Sequence, residues 1–374
     1  MTRSLRLLFI ALGIVLVAPA AARSATHMPI GFYDDASFRW SDSRHENLQE
    51  AASAGATVIH TTASWAQIAP TRPASASNGN DPAYRLGDLD ELVANASTNG
   101  MRVLIDVSGT PRWANGGKTP NHMPRRLSDL TTFTKMLATR YNGRQGHGTV
   151  SMWAVWNEPN LSLFLTPQYS GKKIVSADEY AKLYRAAYAG IKAGNASAQV
   201  AIGETSPLGR DHPTGIGGQG QSVAPGTFAR LLARQTGLKF SAWAHHPYPT
   251  SLSAKPLEKV RYPNVSLSQL PTFEKQLNST FHRNVPIWIT EYGHETKPAE
   301  PHGVTYATQA AYAKQALQYV RADKQVRMFI WFTFRDSATN PWQSGLEQPS
   351  GAHKPAFAAF SALARLISGR STLG

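Results

Sequence analysis

Short apolar runs alternate with longer amphipathic ones eight times along this chain. The short runs are rich in β-branched and aromatic residues and bounded by Gly, Pro, Asn or Asp, the signature of strands. They predict strands at Pro29 to Asp35, Thr57 to Trp65, Arg102 to Gly109, Met152 to Asn160, Gln199 to Pro207, Phe240 to Tyr248, Pro286 to His294 and Met328 to Asp336. Helical periodicity between them predicts helices such as Leu86 to Asn99, Leu127 to Tyr141, Ala177 to Ala193, Tyr306 to Ala322 and Pro355 to Ile367. Runs such as VLIDV and PIWIT are apolar on both faces, which suits a parallel sheet with helices on one side and a packed core on the other. Eight such units in one chain predict an α/β fold, a single (β/α)8 TIM barrel. A doubly wound sheet is the alternative, but Gly31-Phe32-Tyr33-Asp34 after the first strand is no phosphate-binding glycine loop. The stretch Pro70 to Tyr84, rich in Pro, Ser and Asn, reads as a long loop on the face where barrels place their chemistry.

The first residues obey a different pattern. Arg3 and Arg6 precede the apolar run LLFIALGIVLVA, and small residues follow at Ala20, Ala22 and Ala25, the layout of a secretory signal peptide. The run is short for a bilayer span, so the expectation is an exported protein without stable membrane insertion after cleavage: signal 1–25, barrel domain 26–374. It would act outside the cell, or in the periplasm or cell envelope of a bacterium. The sequence contains no cysteine, which excludes a disulfide-stapled scaffold and leaves packing to hold the exported fold. The net charge is +14; losing Arg3, Arg6 and Arg23 with the signal leaves +11. A surface this basic concentrates anionic partners, among them a charged or cell-wall polysaccharide. The cations are scattered and no nucleic-acid motif is present, so nucleic acid is not an expected partner.

Barrel enzymes carry their chemistry at the carboxyl ends of the strands. Two strand ends read as a glutamate directly after an apolar run: the fourth as Trp156-Asn157-Glu158-Pro159-Asn160, the seventh as Ile289-Thr290-Glu291-Tyr292-Gly293. Strands four and seven face each other across an eight-stranded barrel, so their terminal carboxyls can converge over its mouth. Retaining cleavage of a glycosidic bond needs such a pair, about 5 to 5.5 Å apart.

The Trp-Asn-Glu-Pro around Glu158 and the Thr-Glu-Tyr-Gly around Glu291 resemble clan A glycoside hydrolases, especially families 39 and 5, over essentially the whole mature chain. The resemblance implies Glu158 as acid/base, Asn157 as ligand of the sugar 2-hydroxyl and Glu291 as nucleophile. It also implies sugar-site roles for His246 and Tyr248 at the end of strand six, with Tyr248 beside the nucleophile, and for Trp331 on strand eight beneath the sugar. His245 should face the opposite way by strand alternation. Trp113 and Trp342 are further platform candidates, since a ring face can stack on a pyranose. Where many members carry an Arg on strand two, this chain reads Val58-Ile59-His60-Thr61-Thr62, so either His60 or Thr62 is a candidate to support Glu291, unless that support comes from elsewhere. Asp34 and Asp35 after strand one could bind a sugar hydroxyl or serve an ordinary turn.

The expected activity is thus a secreted, monomeric, cofactor-free retaining glycosidase acting on β-linked carbohydrate. Transfer to a sugar acceptor on the same site stays open, because the same intermediate can be intercepted by either acceptor. A catalytically silent carbohydrate-binding barrel would normally lack one carboxylate. A metal hydrolase would need clustered ligands, and the adjacent His245 and His246 point apart.

Overall fold

The computed structural model describes residues 27–214, 220–338 and 341–370; the predicted signal segment, 1–25, lies outside them. Eight parallel strands close into one barrel: β1 Ile30–Tyr33, β2 Val58–Ser64, β3 Arg102–Ser108, β4 Met152–Val155, β5 Gln199–Thr205, β6 Ala242–His245, β7 Ile287–Ile289 and β8 Val326–Phe332. They neighbour one another in chain order, and β8 closes on β1 with Phe32 opposite Trp331. Around them run α1 Arg44–Ser53, α2 Gly87–Thr98, α3 Leu127–Arg140, α4 Ser176–Gly194, α5 Pro225–Leu232, α6 Leu270–Phe281, α7 Tyr306–Ala322 and α8 Pro355–Ser368. The fold is the predicted (β/α)8 barrel. A small hairpin, Tyr169–Ser170 with Lys173–Ile174, decorates the loop after β4.

Alternation along each strand builds two apolar layers. One parity, including Val58, Leu104, Met152, Ala154, Ala201, Ala244, Met328 and Ile330, fills the barrel interior. The other, including Ile59, Ile105, Trp153, Val155, Ile202, Trp243, Phe329 and Trp331, packs outward under the helices. A fully buried aliphatic or aromatic side chain contributes about 1.5–3 kcal/mol, so both layers stabilise the barrel without any disulfide. Two glycines set close approaches. A Cβ on Gly31 would overlap the Val58 carbonyl of β2, and one on Gly190 of α4 would overlap Thr134 and the Thr131 carbonyl of α3. Met28 N–H donates to the Ile367 carbonyl at 3.2 Å, which fastens the last helix beside the start of β1. The predicted strands ran several residues past the observed ends of β4, β6 and β7, and those extra residues hold the site.

Candidate active site

β4 ends at Val155, and the chain then turns sharply, with Trp156 at φ 69° and Glu158 at φ 36°. Such angles cost an L residue on the order of 1–3 kcal/mol and persist only where the surroundings over-determine them. Here Trp156 is buried with its indole N–H on the Phe164 carbonyl at 2.7 Å. Asn160 is fully buried and ties this turn to the β5 loop, donating to the Ser206 and Val223 carbonyls and accepting from Ser206 N–H. The result turns Glu158 and Asn157 into a cleft of about 620 Å³ at the mouth of the barrel. Glu291, two residues beyond β7, enters the same cleft, together with Tyr33, Phe164, Tyr248, Phe332 and Trp342.

His246 locks the two glutamates together from below. Its Nδ1 lies 3.0 Å from Glu158 Oε1 and 3.6 Å from Glu291 Oε2, which puts those oxygens no more than 6.6 Å apart, the sum of the two distances. Its Nε2 lies 2.8 Å from Glu204 Oε2, at the end of β5. Burial alone would depress this imidazole, but Glu291, Glu158 and Glu204 override that and raise it well above its ordinary value. The group is therefore an imidazolium that donates to Glu158 and Glu204 at once. Burial pushes the Glu291 carboxyl up; the His246 cation opposes this, Glu158 adds to it, and the Tyr248 hydroxyl, donating to Oε2 at 2.9 Å, stabilises the ionised form. Tyr248 itself is raised well above its usual range by burial and by Glu291, so it stays a donor.

Beneath this layer sits an acidic floor. Glu204 accepts from Thr290 Oγ1 at 2.7 Å as well as from His246, while its Oε1 has no partner among the described residues. Asp106 of β3 is buried, and neither of its oxygens has a well-formed hydrogen bond among the described residues. Burial and then the Glu204 charge raise it well above the carboxylate range, with Ser108 and His246 opposing, which favours its protonated form.

A model for a family of unknown function (DUF5722) matches residues 93–366. The chain belongs to this family. No curated protein matches the sequence. Among solved structures, this DUF5722 protein is similar to a family 39 glycoside hydrolase from the gut symbiont Bacteroides cellulosilyticus WH2, at 19% identity and a TM-score of 0.66, over 91% of this chain and 64% of that one. It is similar to a family 39 β-xylosidase from Caulobacter crescentus, at 17% identity and TM-score 0.64, over 93% of this chain and 73% of the other. It is also similar to GH5_18 from Streptomyces cattleya, at 15% identity and TM-score 0.64, over 93% and 82%. At these identities the likeness establishes the fold, the barrel architecture that the sequence motifs resemble. The DUF5722 chain spans less than two thirds of the length of the Bacteroides protein.

Of the residues singled out in the sequence, the structure gathers Asn157, Glu158, Tyr248, Glu291 and Trp342 around the cleft, with His246 directly beneath. Trp342 is 42% exposed and stacks on Tyr248 at 5.8 Å between ring centroids. Four candidates lie elsewhere. Trp331 is fully buried in the layer between sheet and helices, against Tyr292 and Phe360, with its N–H on the Ser344 carbonyl; it cannot touch a sugar. Its neighbour Phe332, of interior parity with Met328 and Ile330, faces the cleft in its place. Trp113 packs edge-on against Trp65, donates to the Ala69 carbonyl and carries Arg72 over its ring, outside the cleft. Asp34 is buried and accepts from the backbone N–H of Phe334 and Arg335 and from Ser37, so it fastens the β1 and β8 loops. His60 points inward below the cleft, its Nδ1 against the Thr290 carbonyl, and burial lowers it to about 4, leaving it neutral and without contact to Glu291's carboxylate. His245 faces outward, between Thr205 Oγ1 and the Val265 carbonyl, as alternation requires.

Tyr33, Phe332 and Glu204 were missed. Parity with Val58 or Ile330 would have pointed Tyr33 and Phe332 inward, and Glu204 is a third strand-end glutamate, in Gly203-Glu204-Thr205. Thr205 and Ser206 follow it, without the Pro159 that comes directly after Glu158 or the Gly293 that comes two residues after Glu291.

Proposed function

We propose that this protein is a retaining glycosidase cleaving β-glycosidic bonds, with Glu158 as acid/base and Glu291 as nucleophile. The observation that carries the reading is the shared imidazole: His246 Nδ1 reaches both carboxylates, which holds their facing oxygens within 6.6 Å across one open cleft. A ceiling of 6.6 Å admits the about 5–5.5 Å of double displacement and leaves out nearly all of the roughly 6.5–9.5 Å range that a direct attack by water needs.

In the first step Glu291 bonds to the anomeric carbon as the bond from that carbon to the leaving oxygen breaks, and Glu158 gives that oxygen its proton. In the second, Glu158 takes a proton from water, whose oxygen bonds the anomeric carbon and displaces Glu291. Tyr248 orients Glu291 and His246 holds Glu158. Asn157 lines the cleft and in this reading donates to the hydroxyl beside the reacting carbon, while Trp342 and Phe332 supply apolar faces for the ring. The printed descriptions of the structural relatives, a β-xylosidase among them, agree with a carbohydrate substrate. The charged amino terminus and its apolar run support export of a barrel enzyme spanning 26–374, and the net charge of +14 supports an anionic or cell-wall saccharide as its substrate.

The test compares wild type with Glu158→Gln and Glu291→Gln on a panel of aryl β-glycosides and cell-wall polysaccharides, following product anomers by NMR. The expected result is β product first from wild type and none from either variant. α product appearing first would remove Glu291 as nucleophile. Sugar binding without turnover would make the protein a carbohydrate-binding barrel.

A further inference from the structure

The rim of the cleft is electrically divided. The loops following β3, β4, β5 and β6 (109–126, 156–175, 206–224 and 246–269) carry ten Lys and Arg, four, two, one and three in turn, against Glu158, Asp211 and Glu258. The loops following β7, β8, β1 and β2 (290–305, 333–354, 34–43 and 65–86) carry six, one, two, one and two in turn, against nine acids, three, two, three and one. All ten cations of the first group are exposed, whereas Arg39 and Lys354 of the second are buried in ion pairs and Arg335 grips Glu347. Because β3 to β6 are consecutive in the barrel, ten of the rim's thirteen exposed Lys and Arg lie on one continuous half, against Arg72, Arg85 and Lys297 on the other.

A second pocket, of about 700 Å³, opens on that half. Its walls mix polar side chains, Asn121, His122, Ser162, Gln221 and Ser222, with apolar surface, and it shares Leu161 and Leu163 with the catalytic cleft. Leu163 is 71% exposed and also borders the small recess beside Asn157, so it stands as an apolar step between the spaces. An apolar surface flanked by amides and hydroxyls suits a sugar ring, whose faces are apolar and whose edges carry hydroxyls. Exposed cations flank the pocket: Lys118 precedes its Thr119 wall, and Arg210 donates its backbone N–H to Ser222 Oγ at 3.1 Å. The hairpin bearing Lys172 and Lys173 is hooked to the same wall by Tyr169, whose hydroxyl donates to the Ser222 carbonyl.

We propose that cleft and second pocket form one path for a saccharide chain bearing anionic groups, which crosses Leu163 and is held by the cationic half of the rim. This rests on the glycosidase reading of the cleft. The anion is a carboxylate, sulfate or phosphate on the sugar, and the chain occupies both pockets at once.

Calorimetric affinities of the protein for a short oligouronate, its carboxyl-reduced neutral counterpart, a sulfated oligosaccharide and polyglutamate test it. At low salt an anionic saccharide is expected to bind about tenfold or more tighter than the neutral one, with the gap closing as salt is added. The double variant Lys118→Ser/Arg210→Ser should shrink that gap about tenfold, while Lys314→Ser/Arg321→Ser on α7, an equal change in net charge, leaves it intact. Leu163→Ser should weaken chains long enough to cross it by about tenfold and spare single-ring ligands. Whichever anionic saccharide binds tighter names the anionic group. Equal affinity for charged and neutral chains, a gap that survives in Lys118→Ser/Arg210→Ser, or polyglutamate binding as tightly as the oligouronate would overturn the proposal. Binding is read without turnover, so the two readings fail separately. A charge preference with no hydrolysis of any glycoside removes the glycosidase, and hydrolysis with no preference removes the path.

Discussion

Tyr248 illustrates how much one hydroxyl decides at this site. Its hydrogen bond to Glu291 favours the ionised carboxylate that burial disfavours. Hydrogen bonds to charged groups contribute about 1.5–3 kcal/mol, so Tyr248→Phe should lower kcat roughly 10- to 100-fold with little change in stability. The pH profile adds a signature. In the proposed mechanism Glu291 must be ionised to attack, and burial raises its folded pKa above the ordinary carboxylate range, so activity should rise with pH along an acidic limb displaced upward; Tyr248→Phe should move that limb higher still. A limb unchanged in the variant would mean that the hydroxyl does not act through Glu291. At this scale the sequence was readable where a motif fixed a residue against a turn, as in Asn157-Glu158-Pro159. It misled where resemblance outweighed parity: Trp331 and Phe332 are neighbours on one strand, and only the second shares the inward face of Met328 and Ile330.

Elements meet through buried charge as well as apolar packing. Lys354, at the start of α8, is fully buried between Asp336 at 2.6 Å and Thr296 Oγ1 at 2.8 Å, and so joins the loops that follow β7 and β8. Lys354→Met leaves Asp336 a buried, unpaired carboxylate and should cost about 3–5 kcal/mol in denaturant unfolding, whereas adding Asp336→Leu should recover much of that loss. Glu274 of α6 lies against Asp323 at the end of α7, and burial, with Asp323 adding to it, raises Glu274 to about 8. A carboxyl raised on folding contributes stability below its unfolded pKa and loses it as pH climbs through the folded one, here between about 4.5 and 8. Glu274→Gln should therefore match wild type in Tm at acidic pH and exceed it at pH 9. Strands and long helices were legible because period and length agree: α7 begins and ends where predicted. β4 was over-read because an apolar run followed by a left-handed turn looks in sequence like a strand that continues, and β7 because its apolar run gives no sign that the chain leaves the ladder at Thr290. The short α1 and α5 left weaker traces: α1 buries only Asn47, Leu48 and Ala51, and α5 spans eight residues.

For the whole molecule, alternation at every strand implied both layers of the barrel, whereas the divided rim depends on which loops become neighbours and emerges only once the sheet closes. The closure has a practical corollary. The hydrogen bond from Met28 to Ile367 brings the first and last described elements together at the start of β1, across the barrel from the cleft. A support reached through either end would leave the mouth facing solution. Protein tethered to a sensor surface through residue 28 or through residue 370 should thus show the same affinity for a soluble saccharide, and a short peptide bridging those two positions, with new ends cut in an exposed loop, should yield a circular permutant that still closes its barrel.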